Sequence, residues 1–227
     1  MKKRNYLPFL LVSVLFAFLM IGGYRAFISK KPARILPTFG EQKRDSVTAD
    51  GKKIPVTAVH TVPAFRFTDQ TGKTVTGQDL DGKIYVTDFF FTTCLGICPR
   101  MTKQMERVYG KYKSNEQVKF LSHTVNPRRD SVPVLAEYAE LHGADARQWH
   151  FVTGDKKELY DMARYGYFIT ATEGDGGESD FVHTEKFVLV DPDQRIRGYY
   201  NGTDSVEVGK LMIDVDLLLA EYAYRGK

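Results

Sequence analysis

The only two cysteines in 227 residues stand four positions apart, in Phe89-Phe90-Phe91-Thr92-Thr93-Cys94-Leu95-Gly96-Ile97-Cys98-Pro99. Thiols at this spacing can share a soft metal ion, exchange with a partner's disulfide, or close on each other. A structural disulfide is the weakest of these readings, because so short a loop constrains the unfolded chain little. The three intervening residues are one more than a C-x-x-C exchange motif carries. Two thiolates suit Cu(I), and an added imidazole would let the site hold Cu(II) as well. Structural zinc normally takes four Cys or His ligands, and two cysteines with scattered histidines are a thin basis for that.

Five histidines could supply the imidazole. His60 lies in the segment entering the domain. His123 sits within an apolar strand, where a core histidine is the expected reading. His142 falls at a helix end, where the helix dipole favours a positive charge. His150 adjoins Trp149 at a strand start and is expected to pack. His183 differs, since it follows a glycine-rich stretch over 173–179 and directly precedes a hairpin. A flexible loop there could swing it over the cysteine pair.

The elements that must position these groups read as alternating strands and helices. Segments 65–69 and 73–76 flank Gln70-Thr71-Gly72 as a hairpin. The β-branched and aromatic run over 84–91 predicts a buried central strand entering the cysteine loop. Pro99 suits the first turn of the next helix, which spaces Met101, Met105, Val108 and Tyr112 along one side through 100–113. A second buried strand is predicted over 118–125, broken by Asn126-Pro127. A helix over 131–142 follows, ended by Gly143. A strand over 149–153, a helix over 155–165 and a hairpin of 184–190 with 196–200 come next. The last helix opens on Asp204-Ser205-Val206-Glu207 as a capping box and runs to about 222. The pattern predicts an α/β fold with a central mixed sheet flanked by helices, and the cysteine loop between first core strand and first core helix matches the thioredoxin layout.

The first thirty residues are of another kind. Lys2, Lys3 and Arg4 precede a stretch over 6–24 without a charged residue, about the length that crosses a bilayer as a helix. Gly22-Gly23-Tyr24-Arg25 is a poor signal-peptidase site, and no cysteine is available for lipidation at its end, so an uncleaved single-span anchor is expected. Cations on both sides of the span leave orientation open by charge alone. Residues 1–30 carry five cations and no acid, so residues 31–227 sum to −1 and offer nothing to attract nucleic acid. The expected organisation is a cytoplasmic tip and anchor over 1–28, a polar, turn-rich tether ending in extended segments over 29–62, and one folded domain over 63–227.

The segment from Asp88 to Pro99 resembles the signature of the Sco/SenC family, membrane-tethered thioredoxin-like proteins. That family typically carries T-x-C-P-x-x-C-P, then S-x-D-P-x-R-D, then a late D-H-S/T before a hairpin. This chain has Ser122-His123-Thr124-Val125-Asn126-Pro127-Arg128-Arg129-Asp130 in the second place and Phe181-Val182-His183-Thr184 in the third. The order and spacing agree from about 63 to 222. The resemblance implies one copper ion held by Cys94, Cys98 and His183. It also implies a part in assembling the binuclear copper centre of cytochrome c oxidase, by copper delivery, by thiol reduction of the copper-centre subunit, or by both. Three positions depart from the pattern. Leu95 replaces a proline, Asn126 an aspartate, and Val182 the acid before the histidine, so a metal site with altered affinity or redox poise is expected.

Two classes of function follow. A metallochaperone would hold copper on thiolates and an imidazole and pass it on by ligand exchange, in need of a thiol reductant before loading. A thiol–disulfide oxidoreductase would need only the Cys94 and Cys98 pair, with Lys103 or Arg100 on the adjacent helix available to lower a thiol pKa. His183 separates the two. Arg128, Arg129 and Asp130 read either as a capped, salt-bridged turn or as a docking site for a partner. The family role places the domain on the extracytoplasmic side of a bacterial inner membrane, facing the periplasm.

Overall fold

The computed structural model describes residues 16, 18, 20, 34–40, 45–49, 52–56, 59–170, 174, 177, 180 and 182–225. Phe16, Phe18 and Met20 are helical and exposed, and the rest of the expected span over 6–24 lies outside the described residues. Among those residues no helix is long and apolar enough to cross a membrane.

Strands β1 (Asp45–Ala49) and β2 (Lys52–Val56) form an antiparallel hairpin by themselves. The main sheet holds β3 (Arg66–Asp69), β4 (Thr74–Thr76), β5 (Ile84–Phe90), β6 (Val118–Thr124), β7 (Trp149–Thr153), β8 (Lys186–Val190) and β9 (Ile196–Asn201), in the spatial order β4-β3-β7-β6-β5-β8-β9. The central trio β5, β6 and β7 is parallel, while β3, β8 and β9 join antiparallel. The helices are α1 (Cys98–Tyr112), α2 (Val132–Leu141), α3 (Lys156–Asp161) and α4 (Ser205–Arg225). This is the expected mixed sheet flanked by helices.

Side-chain alternation along β5 divides the core. Val86 and Phe90 face the layer of α1, α2 and α4, packing with Met101, Met105, Leu135, Leu211 and Leu218. Tyr85 and Phe89 face the other layer, with Leu159, Tyr160 and Tyr167. The parallel crossovers bury β5 on both faces, so all seven of its residues are buried. Helix α1 buries Met101, Met105, Val108 and Tyr112, the stripe its sequence spacing implies. Gly143 ends the α2 region with φ +62°, a conformation that glycine adopts without steric cost.

Three details differ from the sequence expectations. Helix α1 begins at Cys98 rather than Arg100, because Pro99 sits in its first turn and has no N–H to leave unpaired. The helix expected over 155–165 is α-helical only to Asp161, and Met162–Gly166 widens into a π turn closed by Tyr167 N–H donating to Met162 O at 2.8 Å. The Asp204 carboxylate caps α4 through the Val206 N–H at 2.7 Å, but Glu207 pairs with Lys210 at 2.6 Å instead of completing a capping box.

The stretch 34–40, read from sequence as tether, lies along the outer edge of β9. Phe39 N–H donates to Ile196 O at 2.9 Å, and Leu36 is buried. Arg34 reaches Asp214 of α4 at 2.8 Å. Arg197, 2% exposed, donates to the carbonyls of Leu36 (2.7 Å) and Pro37 (3.1 Å) and pairs with Asp191 (2.8 Å) and Glu221 (3.0 Å). Replacing Arg197 by Met should therefore leave two buried carboxylates short of a partner. Asp191 keeps Arg195 and Glu221 keeps Arg225, so a loss of about 3 kcal/mol is expected, at the low end for breaking a buried pair. Urea unfolding of the variant would check this, and an unchanged midpoint would contradict it.

Candidate metal centre

The parallel register of β5 and β6 brings Phe90 beside Thr124, so both strands end at the same edge of the sheet. The cysteine loop leaves from there, and one buried carboxylate joins the two strand ends. Asp130 accepts from Thr92 Oγ1 (2.6 Å), from the Thr92 N–H (3.3 Å) and from Thr124 Oγ1. Its own backbone N–H donates to Asn126 O at 3.0 Å, closing the turn that follows β6. Asp130 is thus neither a helix cap nor a surface docking group. It is an internal strut under the residue that opens the cysteine loop, and only its side-chain partners reveal that.

From Thr92 the loop turns tightly, with Cys94 N–H donating to Phe91 O at 3.2 Å, and then enters α1 at Cys98. Both thiols are free and largely buried, Cys94 at 8% and Cys98 at 5% exposure. Leu95 between them is 98% exposed, so the family proline's place is taken by an apolar side chain facing solvent.

The two thiols are hydrogen-bonded to each other and are electrostatically unequal. Burial acts to raise the Cys94 pKa. Hydrogen bonds from the Cys98 thiol and from the N–H groups of Cys98, Gly96 and Ile97 outweigh it, so Cys94 falls below the ordinary thiol value. Backbone amides at the start of a helix are suited to holding an anion in this way. The lowering comes first from the Cys98 thiol and then from these amides rather than from Lys103 or Arg100, and the Lys103 ammonium pairs with Glu106 at 2.9 Å. Cys98 moves the opposite way, raised by burial, by donating its proton to Cys94, and by the charges of Cys94 and Asp88.

Asp88 is an acid in the middle of the buried central strand, a signal the sequence carried openly. Ser122 Oγ donates to it at 2.5 Å, and the single tryptophan, Trp149, donates its Nε1–H to Ser122 Oγ at 3.0 Å. Burial pushes the Asp88 carboxyl up to about 7. The helix-facing side of the sheet thus carries an ionisable group whose negative charge, when present, repels the Cys98 thiolate.

The histidines separate cleanly. His123 is fully buried and stacks on Phe89 with ring centroids 4.7 Å apart, and burial lowers its pKa to about 3. His142 Nδ1 lies 2.7 Å from Glu106, and His150 Nδ1 lies 3.1 Å from Asp69. His60 is buried, with Nε2 at 2.8 Å from Gly166 O. His183 is exposed and lines a cleft of about 450 Å³ together with Ile97 of the cysteine loop, Ile169, Tyr199, Tyr200 and Asn201. The structure therefore brings Cys94 and Cys98 together and sets His183 in a cleft that Ile97, but neither cysteine, lines. Among the described residues, no three His, Cys, Asp or Glu side chains form a group able to hold a metal ion. Val182, where the family pattern has an acid, is buried in the apolar layer.

The model of the SCO1/SenC family matches residues 55–214. The chain belongs to the SCO1/SenC family. The SCO1 protein homolog of Bacillus subtilis is 30% identical over 166 residues, covering 73% of this chain and 86% of that relative. Among solved Sco structures, BsSco, described as a member of the Sco family of cytochrome c oxidase assembly proteins with a disulfide switch, superimposes with TM-score 0.60. It shares 29% identity and covers 70% of this chain and 93% of its own. Arabidopsis thaliana ScoI with copper bound gives TM-score 0.56 at 25% identity, covering 70% of this chain and 99% of that one. The α/β thioredoxin-like fold is shared with these Sco proteins.

The inequality of the thiols can be read directly. In the reduced, metal-free protein, iodoacetamide should label Cys94 with a pH midpoint below that of free cysteine, because the deprotonated form is the nucleophile and is reached at lower pH. Cys98 should stay unmodified over the same range. Peptide mapping that shows equal labelling, or Cys98 labelled first, would contradict the assignment.

Proposed function

We propose that this chain binds one copper ion through Cys94, Cys98 and His183 and delivers it to the binuclear copper centre of cytochrome c oxidase during assembly. The observation that carries the reading is the joined pair of buried thiols at the start of α1, with His183 lining the cleft that Ile97 of the same loop also lines. Two soft sulfur donors fit Cu(I), and a borderline imidazole fits Cu(II), so this donor set can serve both oxidation states. The Arabidopsis relative with copper bound and the oxidase-assembly description of BsSco support the same reading.

Copper here is cargo. Loading requires the thiols to give up their protons, which is easier at Cys94 and harder at Cys98. Binding should therefore weaken on acidification and fail after oxidation to a disulfide. In this proposal residues 1–28 form a cytoplasmic tip and transmembrane anchor and 29–62 the entry segment. Residues 63–227 form the extracytoplasmic domain of a single-pass inner-membrane protein. An uncharged stretch over 6–24 with Phe16, Phe18 and Met20 exposed on a helix supports that placement.

The unequal thiols favour a second activity at the same site, thiol–disulfide exchange with the oxidase subunit. Cys94 would attack and Cys98 resolve the mixed disulfide. His183 distinguishes the two activities, since exchange does not need it.

Anaerobic titration of the reduced full-length protein with copper tests the proposal. One tight copper per chain is expected, with a Cu(II)–thiolate absorption lost in both the Cys94→Ser/Cys98→Ser and His183→Ala variants. Absence of tight copper, with a reactive dithiol indifferent to His183→Ala, would overturn copper delivery and leave the exchange activity.

A further inference from the structure

Four described residues of the strap that leads to His183, Gly174, Gly177, Asp180 and Val182, meet α3 and the π turn at three side chains spaced at four-residue intervals. Lys156 and Arg164 both lie over the Tyr160 ring, at 4.9 and 5.6 Å from its centroid, so the three share one face. Each grips a different point of the strap. Lys156 Nζ donates to the carbonyls of Gly177 and of Asp180, the latter at 2.7 Å. The Arg164 guanidinium pairs with the Asp180 carboxylate at 2.6 Å, and both side chains are buried. Gly174 packs so closely that a Cβ there would collide with both members of this pair.

The third grip reaches the residue before His183. The Tyr160 hydroxyl accepts the Val182 N–H and donates to Val125 O at 2.8 Å. Val125 follows β6 and returns its own N–H to Phe90 O at 2.8 Å. A few residues on, Asp130 holds Thr92 at the mouth of the cysteine loop. One fully buried hydroxyl therefore joins the His183 strap to the strand end that carries the thiols.

We infer that Lys156, Tyr160 and Arg164 form a clamp that fastens the His183 strap to α3, the π turn and the end of β6, making Tyr160 and the Arg164–Asp180 pair positioning residues for the third copper ligand. The inference rests on the reading of His183 as that ligand. A hydroxyl linking two backbone segments and a buried ion pair both act by fixing geometry, and outer partners of metal ligands are worth about 10- to 100-fold in affinity.

Three variants test the clamp: Tyr160→Phe, Arg164→Met and the conservative Arg164→Lys. Tyr160→Phe removes only a hydroxyl and keeps the test open should Arg164→Met fail to fold. Tyr160→Phe and Arg164→Met should lower Cu(II) affinity by about 10- to 100-fold. Both should blue-shift or bleach the Cu(II)–thiolate band and leave Cu(I) affinity within a few-fold. Arg164→Lys should restore part of the loss. In the metal-free protein, amide exchange at 182–184 should accelerate. In a His183→Ala background the same variants should cost no further Cu(II) affinity. An equal loss in that background, or unchanged exchange and unchanged Cu(II) affinity in the clamp variants, would overturn the clamp alone. If His183→Ala by itself leaves Cu(II) binding intact, the ligand assignment fails and the clamp's role with it, a result visible without any clamp variant.

Discussion

The cysteine site depends on a carboxylate that never reaches the surface. Asp130 is fully buried, and its oxygens are met by the hydroxyls of Thr92 and Thr124 and the amide of Thr92. Burying a carboxylate is costly unless such donors replace its water, so these contacts must form together or not at all. Their formation joins the ends of two adjacent parallel strands and sets where the cysteine loop departs. From that point the turn at Phe91 and Pro99 in the first helical turn leave the chain few ways to reach α1. The thiols are therefore a consequence of how β5 and β6 end.

The electrostatics follow from the same geometry. Cys94 stands where the amides of a helix start converge, and Cys98 stands inside the helix, deeper and facing Asp88. A soft cation between them would satisfy both, since it would replace the shared proton with positive charge and offset the burial, as well as the repulsion, that keeps Cys98 protonated. An incoming disulfide uses the inequality instead, through the more acidic sulfur. In the proposed function, copper binding and thiol exchange would thus draw on one arrangement, and His183, in the cleft that Ile97 also lines, would be the group that only copper chemistry uses.

Much of this was legible in the sequence for physical reasons. The β5 run, the Met101–Met105–Val108–Tyr112 stripe and the strand-breaking Asn126-Pro127 all reflect local periodicity or backbone restriction, which neighbours in sequence express. The thiol pair is visible because few residue types can do that chemistry. Three features were not. The role of Asp130 lies in contacts 38 residues back along the chain. The docking of 34–40 depends on Arg197 and Asp214, more than 150 residues away, so those residues read only as polar tether. The pairing of β1 with β2 is the third: the sequence reads there as a turn-rich tether ending in extended segments, with Asp50-Gly51 among its turn signals, and a pairing between two such short polar segments is not expressed by either alone.

The central claim is that one copper ion joins the two strand-end thiols to the imidazole of His183. X-ray absorption at the copper edge of the full-length, copper-loaded protein examines that directly. Two sulfur neighbours and one imidazole nitrogen are predicted, with the imidazole scattering lost in His183→Ala. A first shell of sulfur alone, or an imidazole signal that survives in His183→Ala, would contradict it.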